Sequence, residues 1–297
     1  MTEPWPCDLC GSTKTKPVTT VTRFSEPFGI VRCADCGLVR MDPMPSPADL
    51  ACHYDADYYA GVAEYAYADE RSEEAAARTI YAARIREIES RVGVGRLLDV
   101  GCAFGLLLDE ARRRGWQVQG VEIAEESASH ATGALSLPVA RVPLTEADFE
   151  PGTFDAITMI ELIEHLRDPV ETMEAAMRAL RPGGILVVQT ADISSLKARL
   201  SGARWEYFLP GHVHYFTRAT LARAARRAGL DVETIYSGDE LGARAKWERE
   251  MLRRGSAPYR MLRGAVASTK HTLRRARIGG LTLGGMVLYA RRPGGVT

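Results

Sequence analysis

Two sets of residues in this chain have the types and spacing for metal or acid–base chemistry. The first is Cys7-Asp8-Leu9-Cys10-Gly11 with Cys33-Ala34-Asp35-Cys36-Gly37, two CxxC pairs separated by 22 residues. Four thiolates close a tetrahedral Zn²⁺ site with no open position, so Cys7, Cys10, Cys33 and Cys36 predict a structural zinc ribbon over residues 1–45, in which the metal replaces a hydrophobic core. Two unliganded pairs, or a redox CxxC, are the alternatives, and no βαβ pattern surrounds either pair. The second set is Glu161, Glu164 and His165 at i, i+3 and i+4, followed by His212 and His214. On a helical turn the first three share one face. Glu161, Glu164, His165 and His212 together suit Mg²⁺ or another divalent ion. Read without a metal, His165, His212, His214 and Glu161 are candidates for a base or an orienting group, or Glu164 and His165 simply cap the loop.

These groups need elements to position them. The stretch Arg96–Leu108, RLLDVGCAFGLLL, reads as a strand, a glycine turn and a helix start. In such a corner backbone N–H groups face a bound ligand. Gly101 permits close approach of the backbone, and Gly105 permits close helix–strand packing. Downstream, strands are expected at 117–123, 139–142, 154–160, 185–190, 230–236 and 281–290. Helices are expected at 70–92, 106–114, 169–180 and 221–228, the last capped by Thr217. Strands alternating with helices mean a mostly parallel sheet covered on both faces. A proline-rich segment, 41–47, separates the ribbon from residues 46–92, read as a linker and N-terminal helices forming a lid. Tyr58 and Tyr59 lie in that lid. Together with Trp205 and Tyr215 they are the aromatic candidates for substrate contact, the alternative being packing.

In this order the motifs resemble the class I S-adenosylmethionine-dependent methyltransferases. Asp99-Val100-Gly101-Cys102-Ala103-Phe104-Gly105 is similar to that family's DxGxGxG loop, with Ala103 in place of the middle glycine. Glu122 stands where the family places the carboxylate that accepts hydrogen bonds from both ribose hydroxyls. Glu161-Leu162-Ile163-Glu164-His165-Leu166 and Leu180-Arg181-Pro182-Gly183-Gly184 match its fourth-strand motif and its turn before strand five. The resemblance implies a Rossmann-like α/β fold over 93–297, a seven-stranded, mostly parallel sheet with an antiparallel last strand. It implies S-adenosylmethionine held by Asp99, Gly101, Cys102, Ala103, Gly105, Glu122, Ile123, Leu144, Ile160 and Glu161. The family's acidic adenine contact has no counterpart, since Pro143 and Leu144 fall there, with Asp148 or Phe149 as weak substitutes. ExxEH with a later histidine resembles the metal-assisted O-methyltransferases of ubiquinone biosynthesis and of small-RNA 3′ ends.

The chain has 297 residues, with 38 basic and 38 acidic side chains, so no global field favours nucleic acid. Residues 241–280 hold eleven basic side chains against Glu248 and Glu250. They read as a basic helical insertion, either solvated or in contact with an anionic membrane or a lipid-linked substrate. With no leader or apolar span in the sequence, the expected location is cytoplasmic. The expected activity is methyl transfer to a small molecule, at oxygen, on a sugar, a natural product or a lipid-linked glycan intermediate. An RNA 2′-O-methyltransferase and a non-catalytic S-adenosylmethionine-binding scaffold are the alternatives, and oligomeric state is not legible.

Overall fold

The computed structural model describes residues 5–51, 70–237 and 284–294. Tyr58, Tyr59 and the basic stretch 241–280 lie outside the described residues. In chain order the elements are β1 (Thr15–Val21), β2 (Phe28–Cys33), β3 (Val39–Asp42), α1 (Pro47–Ala51), α2 (Glu74–Val92), β4 (Arg96–Val100), α3 (Leu106–Arg113), β5 (Gln117–Val121), α4 (Glu125–Gly133), β6 (Val139–Ala140), β7 (Phe154–Ile160), α5 (Pro169–Ala179), β8 (Leu180–Ala191), α6 (Leu196–Ser201), β9 (His214–Tyr215), α7 (Arg218–Arg227), β10 (Asp231–Ser237) and β11 (Gly285–Arg291).

The large sheet has the order β10-β11-β8-β7-β4-β5-β6. Its strands are parallel except β11, which runs antiparallel to both β8 and β10. This is the seven-stranded Rossmann-like sheet expected from the motifs. Its central strands are apolar on consecutive residues because both faces are covered. Leu98, Ile157, Leu186, Val188 and Leu288 pack on one face with α5 and α7, while Leu97, Ala156, Ile185, Val187 and Val287 pack on the other with α2 and α3. Local signals set the helix starts. Asp168 accepts from the Glu171 N–H ahead of Pro169, and Thr217 with Thr220 forms a reciprocal capping box.

Beyond shifts of a few residues at strand and helix ends, three details differ from the sequence expectation. The Arg181–Gly184 turn lies within β8, which begins at Leu180 and is irregular opposite Phe154–Ala156. Helix α4 has no strong apolar stripe and was not anticipated. The N-terminal unit also does not stand apart with metal in place of a core. Its sheet, β1-β2-β3-β9, takes its fourth strand from residues 214–215, and Val21, Ile30 and Val39 share an apolar cluster with Trp205, Phe208 and Tyr215. No helix among the described residues is long and apolar enough to cross a membrane.

At Gly120, β5 passes close to the loop after β4 and to α3. A Cβ there would stand 2.7 Å from the Cys102 sulfur and 2.8 Å from Leu108 Cδ1. Replacing Gly120 with alanine should therefore destabilise the protein by about 1–3 kcal/mol through overpacking, read as a lower urea midpoint at unchanged slope.

Candidate functional site

A cavity of about 570 Å³ opens at the carboxyl ends of β4, β5 and β7, the crevice where open α/β sheets bind ligands. Of the residues singled out from sequence, Asp99, Gly101, Cys102, Ala103, Glu122, Ile123, Leu144, Ile160, Glu161, Glu164, His165 and His212 line it. The fold thus brings the glycine loop and the ExxEH motif to one space. Val142, Pro143 and Thr145 line it beside Leu144, whereas Asp148 and Phe149 do not.

The loop side is held by Glu122, whose two carboxylate oxygens accept the N–H groups of Ala103 and Ala124, both at 2.9 Å. Asp99 accepts from the Thr158 hydroxyl and is 4 % exposed. Burial pushes its carboxyl up to about 7, with nearby carboxylates adding to the rise, and burial raises Glu122 in the same direction. Ala103 and Glu161 have φ of 45° and 51°, so among the described residues two of the three non-glycine positions with positive φ line this cavity. Such strain gathers at functional positions. Gly105 is not part of the lining. It starts α3 at φ 84°, and a Cβ on it would meet Leu137 and Ala131 at 2.6 and 3.1 Å, so its missing side chain makes room for α4 and the chain after it.

On the opposite side a short 3₁₀ turn, Ile163–His165, carries the acid and the first imidazole. Glu164 Oε2 accepts from Thr190 at 2.9 Å, while Oε1 is buried without a hydrogen-bond partner. Burial, reinforced by the Glu161 charge, holds Glu164 well above the usual carboxylate range. His165 Nδ1 donates to the Gly211 carbonyl at 2.9 Å, and burial drops this imidazole to about 4. His212 packs edge-on to it with ring centroids 4.5 Å apart, and is held well below its usual value by burial and then by His165. One ligand atom from each of Glu164, His165 and His212 lies within 4.8 Å of the other two. The structure therefore presents two neutral imidazoles and a carboxyl with an orphaned oxygen at one point of the cavity.

Other expectations are corrected. His214 is fully buried and does not line the cavity, with Nδ1 2.9 Å from the Leu166 carbonyl and Nε2 2.8 Å from Asp8. Trp205 is a 1 % exposed core residue packed edge-on to Phe208 and at a tilt to Tyr207 and Tyr215. Tyr215 donates its hydroxyl to the His212 carbonyl at 2.8 Å, so it supports the site from behind. Sequence reasoning missed Gln189 and Thr190. Gln189 donates to Glu161 at 2.9 Å and accepts from buried Arg84 at 2.7 Å, so consecutive residues of β8 hold the two glutamates. Polar side chains ending the apolar run Ile185–Val188 were the available signal. Tyr207, from the aromatic stretch 204–208 that reads in sequence as a substrate-side loop, also lines the cavity, as do Leu209 and Thr172, whose spacing does not announce it.

The cysteine set converges as well. Cys7 and Cys36 sulfurs are 3.4 Å apart and those of Cys10 and Cys33 3.5 Å, with all four within 4.8 Å of one another and none in a disulfide. Tetrahedral Zn–S bonds need sulfurs about 3.8 Å apart, so the cluster is compatible with zinc. Burial raises Cys7 far up and Cys36 to about 11. Against burial, the Cys36 and Asp35 backbone amides bring Cys33 down to about 7.

Comparison with known proteins agrees with this geometry. A methyltransferase-domain family profile matches residues 67–235. The chain belongs to the class I S-adenosylmethionine-dependent methyltransferases. Ubiquinone biosynthesis O-methyltransferase of Thiobacillus denitrificans is 31% identical over 176 residues, covering 51% of this chain and 72% of that protein. The Neisseria meningitidis protein of the same name is 32% identical over 154 residues, covering 46% and 64%. Among solved structures, phosphoethanolamine N-methyltransferase 2 of Haemonchus contortus, in complex with S-adenosyl-L-methionine, has a TM-score of 0.53 at 16% identity, covering 93% of this chain and 71% of that one. A Mesorhizobium loti S-adenosylmethionine-dependent methyltransferase has 0.51 at 18%, covering 71% and 96%. At these identities the structures establish the fold of the methyltransferase and not its acceptor.

Asp99 has a measurable consequence for the cofactor-free methyltransferase. The folded state keeps the Asp99 proton to about pH 7, whereas the unfolded chain releases it near the ordinary carboxylate value. The folded state therefore binds more protons between these limits, and this group's contribution to stability falls as pH rises from about 4 to about 7. Asp99→Asn keeps the acceptor for Thr158 and carries no charge. It should stabilise the protein by about 1–3 kcal/mol at pH 8 and by little at pH 4.5, measured by urea unfolding. A difference independent of pH would contradict the assignment.

Proposed function

We propose that this methyltransferase transfers the methyl group of S-adenosylmethionine to a hydroxyl oxygen of a small organic acceptor, in the class of sugars, natural products and lipid-linked glycan intermediates. The observation that carries the proposal is the convergence of Glu164, His165 and His212 in the same cavity as Glu122 and the glycine loop. The O-methyltransferase relatives support oxygen as the methylated atom. The leucines at 162, 166 and 209 with Tyr207 suit an acceptor with an apolar or aromatic body.

In this reading Glu122 accepts the ribose hydroxyls with the lone pairs left over from the Ala103 and Ala124 amides. Asp99, Gly101, Cys102, Ala103, Ile123, Leu144, Ile160 and Glu161 complete the S-adenosylmethionine side. Buried, raised carboxyls at 99 and 122 favour a cationic ligand, which relieves the cost of ionising them. The acceptor oxygen lies between the sulfonium methyl and the imidazoles. As the new C–O bond forms and the C–S bond breaks, the hydroxyl proton leaves, and a neutral imidazole of His165 or His212 is able to take it. The rest of the cavity wall excludes water and fixes alignment. Glu164, His165 and His212 also offer a divalent ion such as Mg²⁺ a carboxylate oxygen and two imidazole nitrogens, with Glu161 adjacent, and such an ion supplies Lewis-acid acidification of the hydroxyl. Cys7, Cys10, Cys33 and Cys36 hold a structural Zn²⁺.

His165→Ala and His212→Ala should each lower S-adenosylhomocysteine production by about 100-fold or more across a panel of phenolic and sugar acceptors. Their affinity for S-adenosylhomocysteine in calorimetry should stay within about threefold, whereas Glu122→Ala should weaken it at least tenfold. Histidine variants that lose product affinity as Glu122→Ala does would overturn the division of the cavity. Chelation with EDTA at retained zinc separates the two uses of the imidazoles. Activity lost and restored by Mg²⁺ or Mn²⁺ assigns them to an ion, and full activity assigns them to the proton.

A further inference from the structure

The N-terminal unit touches the acceptor side of the cavity through two connections that end on its key residues. The first is backbone. β3 pairs antiparallel with β9, Val39 opposite Tyr215 and Arg40 opposite His214, and the Met41 N–H donates to the Val213 carbonyl at 2.9 Å. The Val213 N–H in turn donates to the Glu164 carbonyl at 2.8 Å. Val213 thus ties β3 to the turn bearing Glu164 and His165, and its neighbour in sequence is His212. The second is side chain. Asp8 lies inside the Cys7–Cys10 knuckle and meets His214 Nε2 at 2.8 Å, while His214 Nδ1 meets the Leu166 carbonyl at 2.9 Å. The histidine and aspartate side chains are 0% and 6% exposed. The ring bridges the Asp8 carboxylate and the Leu166 carbonyl and so clamps the knuckle to the residue after His165.

The S-adenosylmethionine side is built differently. The loop after β4 is held by its own neighbours: the Gly101 N–H donates to the Val121 carbonyl, and Ala103 and Ala124 donate to Glu122. No residue of the four-cysteine unit takes part in these bonds.

We propose that the four-cysteine unit is a brace for the acceptor side of the cavity, and that Asp8 and His214 are positioning residues through which the knuckle sets Leu166, His165 and His212. The inference rests on the zinc reading for its metal arm only. Zinc fixes the Cys7–Cys10 knuckle, the knuckle fixes Asp8, and β3 fixes Val213. Losing the brace loosens the acceptor half and leaves the S-adenosylmethionine half in place.

Hydrogen–deuterium exchange of the full chain tests this without knowledge of the acceptor. Zinc content is measured first on the purified wild type and on Asp8→Ala. In Asp8→Ala with zinc retained, exchange in peptides spanning 161–166 and 209–216 should rise at least tenfold. Peptides 96–108 and 117–124 should be unchanged, and S-adenosylhomocysteine affinity should move less than twofold. Asp8→Asn, which keeps an acceptor for His214, should restore most of the protection. Removing zinc from the wild type should loosen the same two peptides. Unchanged exchange at 161–166 in Asp8→Ala overturns the brace, and so does a rise that includes 96–108, which would make the unit part of one undivided fold. A wild type without zinc sinks the metal reading and the metal arm with it, and the Asp8 variants then decide the brace by themselves.

Discussion

The peptide groups of Val213 tie the small sheet to the turn that carries Glu164 and His165. One side of the residue receives the Met41 N–H, and the other donates to Glu164. Residues two apart in an extended strand share a face, yet His212 lines the cavity while His214 meets Asp8 in the knuckle. His212 still closes a turn, its N–H donating to the Leu209 carbonyl at 3.0 Å, and the strand begins only at His214. Two histidines that look equivalent in sequence are thus separated into a cavity group and a clamp by the end of a turn. Trp205, Phe208 and Tyr215 fill the space beneath this joint and pack against Val21, Ile30 and Val39, so the aromatic approach to the site is a second small core shared by both sheets.

Burial of charge-bearing groups governs the cavity itself. Asp99, Glu122 and Glu164 are all displaced toward their neutral forms, and burial is the first cause for each. The two imidazoles are displaced toward neutrality by the same cause. A wall of this kind is costly without a ligand and suits a cationic one, because the penalty for ionising buried carboxyls falls when a positive charge arrives. The sulfonium of S-adenosylmethionine has that charge. Neutral imidazoles are in the state needed to accept a proton or coordinate an ion. Left-handed backbone at Ala103 and Glu161 adds strain in the lining of the same space.

Much of the fold was readable because its signals are local. β7 runs over 154–160 as its apolar run indicates, Thr217 caps α7, and the glycine loop sits between β4 and α3. Central strands covered on both faces leave long apolar runs that survive without knowledge of partners. Weak local signals were missed. β9 is two residues long and exists only because β3 lies beside it, and α4 lacks an apolar stripe. Gln189 and Thr190 appear as the polar end of a strand, and only the fold shows that they reach Glu161 and Glu164.

By itself the sequence determined the Rossmann-like class, the loop with Ala103 for glycine, Glu122 at the second strand's end and the four thiols. Each depends on spacing along the chain, which folding cannot change. Tertiary structure decided which of these residues meet. It brought Glu164, His165 and His212 together from segments more than forty residues apart, removed His214, Trp205 and Tyr215 from the cavity, and assigned Gly105 to helix packing. Those outcomes depend on where a turn gives way to a strand and on which sheet edge that short strand joins. Both are fixed by burial across the whole molecule, which local spacing does not encode. The N-terminal unit is not separate from the rest of the protein for the same reason: its fourth strand and part of its apolar core come from residues 205–215.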